Sequence, residues 1–287
     1  MLHGINVRMQ LRPEWLVLYG AVALLYLIVA WREWRWLHSE THRALLWPGV
    51  ILGLALAMHG VLLAQDLLAD GHLRFGFAQA LSATLWLTAV IVWIESYFSA
   101  TRGLFLLVLP LTAVAAILPA IFPGAILGRV TDSAAFRVHV VLAILSYSLL
   151  TIAALQALLM ASMDRRLHGD FEASRGPLTS LLERLPPLLA METVLFRLIA
   201  VGFVLLTATL ASGIFFSEQL FGRPLRFDHK TVFTLAAWLI FGGLLVGRVA
   251  FGWRGRTALR WTLTGFAMLL LAYIGTRFVI EVLLGRT

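Results

Sequence analysis

Runs of about 20 apolar residues recur from one end of the chain to the other, each long enough to cross a hydrocarbon layer roughly 30 Å thick. Spans can be drawn near 14–32, 44–65, 77–98, 103–122, 137–162, 192–216, 230–250 and 258–283. With 60% hydrophobic and only 13% charged residues among 287, a water-soluble domain would have no interior large enough to hide this surface, so lipid has to be the solvent for most of it. Only structures that satisfy every backbone group internally survive in lipid. The expected fold is therefore all-α: a polytopic transmembrane helical bundle of about eight spans, a single integral membrane domain over residues 1–287.

Within that frame, Pro110 and Pro119 predict a kink or break in the fourth span, and Pro123 its end. Connections are short except between Asp164 and Met191. There the run PLTSLLERL has apolar residues at helical spacing and reads either as a short amphipathic helix on the membrane surface or as a solvated linker. The opening MLHGINVRMQLRPEW lacks the apolar centre and small-residue cleavage site of a signal peptide, so no removed leader is expected.

The formal charge is +8, with Lys230 the single lysine among 23 basic residues. In a soluble chain this balance would raise nucleic acid as a partner. Here the arginines concentrate in turns between apolar runs, where they report topology, and nucleic acid is not an expected partner. The connections after spans 1, 3, 5 and 7 carry 12 Lys and Arg against 9 on the opposite side. That bias predicts a cytoplasmic (inner) membrane protein with both termini outside. The basic GWRGR turn (252–256) then lies inside, and the Asp228-His229-Lys230 loop outside.

No cysteine is present, which excludes disulfides and thiolate metal sites. Neither a Walker loop nor HExxH, GxSxG or CxxC occurs, so hydrolase and nucleotide-driven readings have no signature to rest on, and no catalytic residue is named. Histidine is left as the informative residue type, because an ionisable group at membrane depth is costly. Of the eight, His38, His42 and His168 fall beside arginines on the cytoplasmic side and read as surface residues. His59 lies in the outer half of span 2, His72 in the following loop, His139 at the outer start of span 5 and His229 at the outer start of span 7.

Several segments thus deliver an imidazole to one leaflet. Two neutral imidazoles on opposite faces of a haem can supply its axial ligands, and facing helices of a bundle hold such ligands rigidly. His59 and His139 are the candidate ligands of a haem iron, with His229 a third. Their bland alternative is a hydrogen-bonding or capping role near the interface. Arg226 and Lys230, close to His229, could clamp carboxylates such as haem propionates. Asp228 reads first as the N-cap of span 7. Arg277 and Glu281, four apart, read as a local ion pair, with a propionate the sharper use for Arg277. Ser146 and Tyr147, two turns below His139, read as interhelical hydrogen bonders, and glycines such as Gly53, Gly202 and Gly242 as sites of close helix packing.

The runs HVVLAILSYSLLTIAALQALL (139–159), LPPLLAMETVLFRLIAVGFVLLTATLASGIFF (185–216) and HKTVFTLAAWLIFGGLLVGRVAFGWRGRTALRWTLTGFAMLLLAYIG (229–275) resemble the membrane domain of the cytochrome c assembly protein family. The likeness is to its short YpjD-type or HemX-like inner-membrane branch, related to CcsA, and extends over about 44–283. It implies haem handling at the outer membrane face. His59 stands where a membrane histidine is expected, and His139 where the first outer histidine is expected.

Larger relatives carry a Trp-rich loop where this chain reads FFSEQLFGRPLRFDHKTV, which has no Trp and keeps only Asp228 and Lys230 of the WDPK-like end. The position near Gly247-Arg248, where they place a second outer histidine, has none. The expectation is a membrane protein that binds or passes haem and assists cytochrome c assembly, alongside other assembly proteins, without full synthase activity of its own. A haem or small-anion permease and a non-catalytic scaffold for a partner complex are the alternatives.

Overall fold

The computed structural model describes residues 13–38, 47–67, 74–98, 102–126, 133–167, 186–221 and 229–279. Among these, eight long helices follow one another: α1 (Pro13–His38), α2 (Trp47–Leu67), α3 (Phe77–Glu95), α4 (Phe105–Ile121), α5 (Ala134–Leu167), α6 (Leu188–Phe221), α7 (His229–Phe251) and α8 (Gly255–Leu270). The protein is an all-α membrane bundle. Six of the helices, all but α4 and α8, are long and apolar enough to cross a membrane. α4 is a 17-residue apolar helix, and α8 is prolonged by a π-helical turn, Leu271–Gly275, and a last α turn, Thr276–Phe278. Most of the helices are apolar all round, as lipid on one side and protein on the other require. α8 differs, burying Ala258, Leu259, Thr262, Gly265 and Leu269 at three- and four-residue spacing along one stripe.

α4 contains both Pro110 and Pro119 and runs through them as one helix, so the expected break does not occur. Each proline forfeits a single backbone hydrogen bond, and packing between α1 and α3 holds the rest of the helix in line. The helix ends just before Pro123, as expected. The segment PLTSLLERL, together with Arg226, Asp228, His72 and Glu281, lies outside the described residues.

The bundle has two sequential halves. α1 packs between α2 and α4, with α3 against both α2 and α4; α5 packs against α6 and α8, and α7 against α8. The halves meet along α3 and α5, where the Ser148 hydroxyl donates to the Thr84 carbonyl at 3.0 Å and Thr88 donates back to the Ser148 carbonyl at 3.4 Å. Small hydroxyl residues let these backbones approach and satisfy themselves in a dry seam. Ser146 serves α6 in the same way, donating to the Gly202 carbonyl at 3.0 Å, and Gly202 itself abuts Leu150.

One end of the bundle is tied by a feature the sequence reading took for plain connections. β1 (Arg74–Phe75), before α3, pairs antiparallel with β2 (Ala125–Ile126), after α4, in the register Arg74 with Ile126 and Phe75 with Ala125. Gly124 makes the approach possible: a Cβ there would stand 2.6 Å from the Gly76 nitrogen and 2.7 Å from the Phe75 carbonyl carbon. Both obstacles are backbone and have nowhere to go. Gly124→Ala is expected to open the ribbon and lower stability by about 1–3 kcal/mol, read as a lower unfolding temperature in detergent. Because the chain has no cysteine of its own, a Cys placed at Ala125 should gain thiol reactivity in that background; unchanged reactivity would show the ribbon to be intact.

The opposite end is held by charge. Glu192 at the start of α6 accepts from Arg248 near the end of α7 at 2.6 Å, with Arg254 at 3.8 Å, and Arg256 meets Asp164 of α5 at 2.7 Å. The GWRGR turn makes this possible, since Gly252 and Gly255 take φ of 66° and 52°, which side-chain-bearing residues rarely adopt. The turn folds the Trp253 ring over Gly247.

Candidate functional site

His139 lies one turn into α5, at the β-ribbon end, and faces the last turns of α6. Its Nδ1 is 2.9 Å from the Ser212 hydroxyl oxygen, and that hydroxyl donates to the Thr209 carbonyl at 3.0 Å. A serine has one proton to give. When that proton goes to Thr209, the Ser212 oxygen accepts from Nδ1–H and Nε2 keeps its lone pair; when it goes to Nδ1, the ring proton sits on Nε2. Gly213 lets the ring lie close against α6, since a Cβ there would be 3.3 Å from the imidazole Cε1. A histidine anchored through one nitrogen and open at the other is the form in which imidazole binds a metal.

Lys230, in the first turn of α7, is exposed. Its ammonium stands 5.2 Å from the centre of the Tyr273 ring, which in turn lies 6.0 Å from Phe75 of the ribbon. His229 precedes it on the same turn with an exposed side chain. His139 and Lys230 thus lie at the same end of the bundle, near the starts of α5 and α7. Arg226 falls outside the described residues, and nothing is described of the Arg277 side chain.

His59 is placed elsewhere. It is fully buried, with Nδ1 3.1 Å from the Tyr26 hydroxyl on α1 and Nε2 2.9 Å from the Ser82 hydroxyl on α3. Both nitrogens are engaged. The Ser148–Thr84 bond sets the α3–α5 register, so His139 lies about 7 residues, or roughly 10 Å, nearer the ribbon end than the level of His59. The two imidazoles face different helices and do not converge on one point. Iron could reach His59 only by displacing a buried hydroxyl, at a cost of about 1–3 kcal/mol for the group left unpaired.

The Tyr26–His59–Ser82 triad instead ties α1, α2 and α3, helped by Tyr19 donating to the Leu62 carbonyl at 3.3 Å and Trp86 to the Leu56 carbonyl at 2.8 Å. His59→Ala removes the ring and orphans two buried hydroxyls. A loss of about 3 kcal/mol is expected, measured as thermal or denaturant unfolding in detergent; wild-type stability would show that the triad holds nothing.

Among the described residues no group of three or more His, Asp or Glu could hold a metal ion. A site here would have to receive a metal that brings its own equatorial ligands and asks the protein only for an axial one, which is what haem asks. The imidazole of His139 fits that demand, with one nitrogen anchored to Ser212 and a cation at the same end of the bundle for carboxylates. The donor set at His59 does not. Ser212, Thr209 and Tyr273 were not singled out from sequence. Serine and threonine near a helix end carry no pattern of their own, and their role appears only once α6 lies beside α5.

Residues 47–284 match the family described as cytochrome C assembly protein. The chain is 31% identical over 230 residues to inner membrane protein YpjD of Escherichia coli, covering 79% of this chain and 83% of that one. It is 37% identical over 147 residues to an uncharacterized 28.8 kDa protein of Azospirillum brasilense, covering 51% and 52% of the two chains. With cytochrome c biogenesis protein CcsA of Prochlorococcus marinus it shares 30% identity over 154 residues, covering 49% of this chain and 50% of the relative.

Proposed function

Because the chain belongs to the cytochrome C assembly protein family, we propose that it binds haem at the β-ribbon end of its bundle and assists cytochrome c assembly from the inner membrane. The observation that carries this is the anchoring of His139 through Nδ1 to Ser212 of α6, at the end of the bundle where Lys230 opens α7. His139 would hold the haem iron, Lys230 and Arg226 would meet its carboxylates, and His229 would be a second imidazole for the same group. His59, the other ligand proposed from sequence, would enter only after surrendering Tyr26 or Ser82.

The inner-membrane relative and the multi-span helices support an inner-membrane location. The excess of arginines at the opposite end supports placing the ribbon end, and both termini, outside the cytoplasm. Haem would be the group held or passed on, with His139 at its iron and the basic residues at its carboxylates. We propose no full synthase activity for the chain itself.

Haemin titrated into the full chain in lipid nanodiscs tests the reading. Saturable binding with a Soret maximum typical of histidine ligation is expected, and binding no stronger than to empty discs overturns it. The permease alternative drew on a break in span 4, and α4 is continuous.

A further inference from the structure

A π-helical turn, Leu271–Gly275, lies where α8 reaches the ribbon end. A π turn is less stable than α-helix and survives where something favours it, often at a functional site. Two hydroxyls flank this one. Tyr147 of α5 donates to the Leu269 carbonyl at 3.1 Å. Thr276 donates to the Leu271 carbonyl at 3.0 Å, and that carbonyl also accepts the Thr276 N–H five residues on. Hydroxyls that bond helix carbonyls compete with the ordinary i to i−4 ladder and make a widened turn less costly.

The widened turn has a geometric consequence. One extra residue in a helix rotates everything on one side of it by about 100° relative to the other. Tyr273 stands within the turn, and its ring is the one over which Lys230 sits, with the Phe75 ring 6.0 Å away. A chain of contacts thereby joins three helices. It runs from Tyr147 of α5 to the π turn of α8, to Tyr273, and on to Lys230 of α7.

We propose that Tyr147, Thr276 and Tyr273 are positioning residues: they keep the π turn that holds the Lys230 ammonium over the Tyr273 ring, where it meets a haem carboxylate. The inference rests on the haem reading given above. It also accounts for Tyr147, whose hydroxyl links α5 to α8 far from any expected ligand contact. The ring of Tyr273 matters in this scheme and its hydroxyl does not, because a lysine is attracted to the π face.

The test uses the full chain in nanodiscs with two probes, haemin and haemin dimethyl ester, which differ only in the carboxylate charge. Wild type should prefer haemin by about tenfold, the scale of one charge-assisted hydrogen bond, and Lys230→Gln should erase the preference. Tyr273→Leu and the double variant Tyr147→Phe/Thr276→Val should also erase it while still binding both probes through His139. Tyr273→Phe should keep it. Selective loss of discrimination separates positioning from general destabilisation, which would weaken both probes alike. If Tyr273→Leu and the double variant keep the preference that Lys230→Gln loses, the positioning role is overturned and the haem site stands. A Lys230→Gln variant that keeps the preference also overturns it. If wild type binds neither probe, the haem reading fails and this inference with it.

Discussion

Alanine at position 139 is expected to weaken haem binding by more than about 100-fold, because it removes the axial ligand itself and not merely one of its supports. The expectation comes from the hydrogen-bond bookkeeping at the ring. Nδ1 is 2.9 Å from the Ser212 hydroxyl, and the tautomer in which that hydroxyl gives its proton to Thr209 leaves Nε2 as the ligating nitrogen. The same logic ranks the neighbouring variants. Ser212→Ala leaves the ligand in place but frees its tautomer and rotation, and should cost about 10-fold, as losing an outer partner of a metal-bound histidine does. Imidazole added to the His139→Gly variant should restore the spectrum, since the cavity and the Lys230 charge remain. Equal affinities for wild type and His139→Ala would remove the site as described.

Truncating Glu192 is expected to be the most destabilising single change at the other end of the bundle. Glu192 is nearly buried, and it receives the shortest ion-pair contact among the described residues, from Arg248 at 2.6 Å, with Arg254 close behind. Removing one member of a buried pair leaves the other charge without compensation, which costs about 3–5 kcal/mol. Arg248 is a quarter exposed, so about 3 kcal/mol is the fair expectation here. Arg248 also donates to the Trp253 carbonyl and covers Phe196, so losing Glu192 should loosen the GWRGR turn and the α6–α7 contact together. Unfolding in detergent would show it. In a double-mutant cycle Glu192→Ala and Arg248→Ala should fall well short of additivity; full additivity would mean the pair is not coupled.

The bundle was legible in the sequence because lipid leaves a chain few options. Apolar length and alternating basic turns locate helices closely, as α3, expected at 77–98 and found at 77–95, illustrates. The ribbon was not legible. Two residues per strand carry no alternation to detect, and Gly124 declares its purpose only when Gly76 and Phe75 lie against it. Pro110 and Pro119 do not break α4, where packing against α1 and α3 outweighs the backbone hydrogen bonds they forfeit.

Residue type pointed to His139 and Lys230, and both lie at the ribbon end of the bundle. Residue type also pointed to His59, where burial proved the stronger fact: a histidine fully enclosed with both nitrogens bonded is an anchor for three helices. Sequence shows that a histidine sits at membrane depth. Only the packing shows which of its nitrogens is spare.

The most direct measurement is the haem content of the full chain purified in parallel with His139→Ala and His59→Phe from haem-replete cells, read as the pyridine haemochrome spectrum. Stoichiometric haem in the wild type, little in His139→Ala, and haem retained by whatever fraction of His59→Phe remains folded is the expected result. Haem absent from the wild type, or present equally in His139→Ala, would contradict a haem site at the ribbon end.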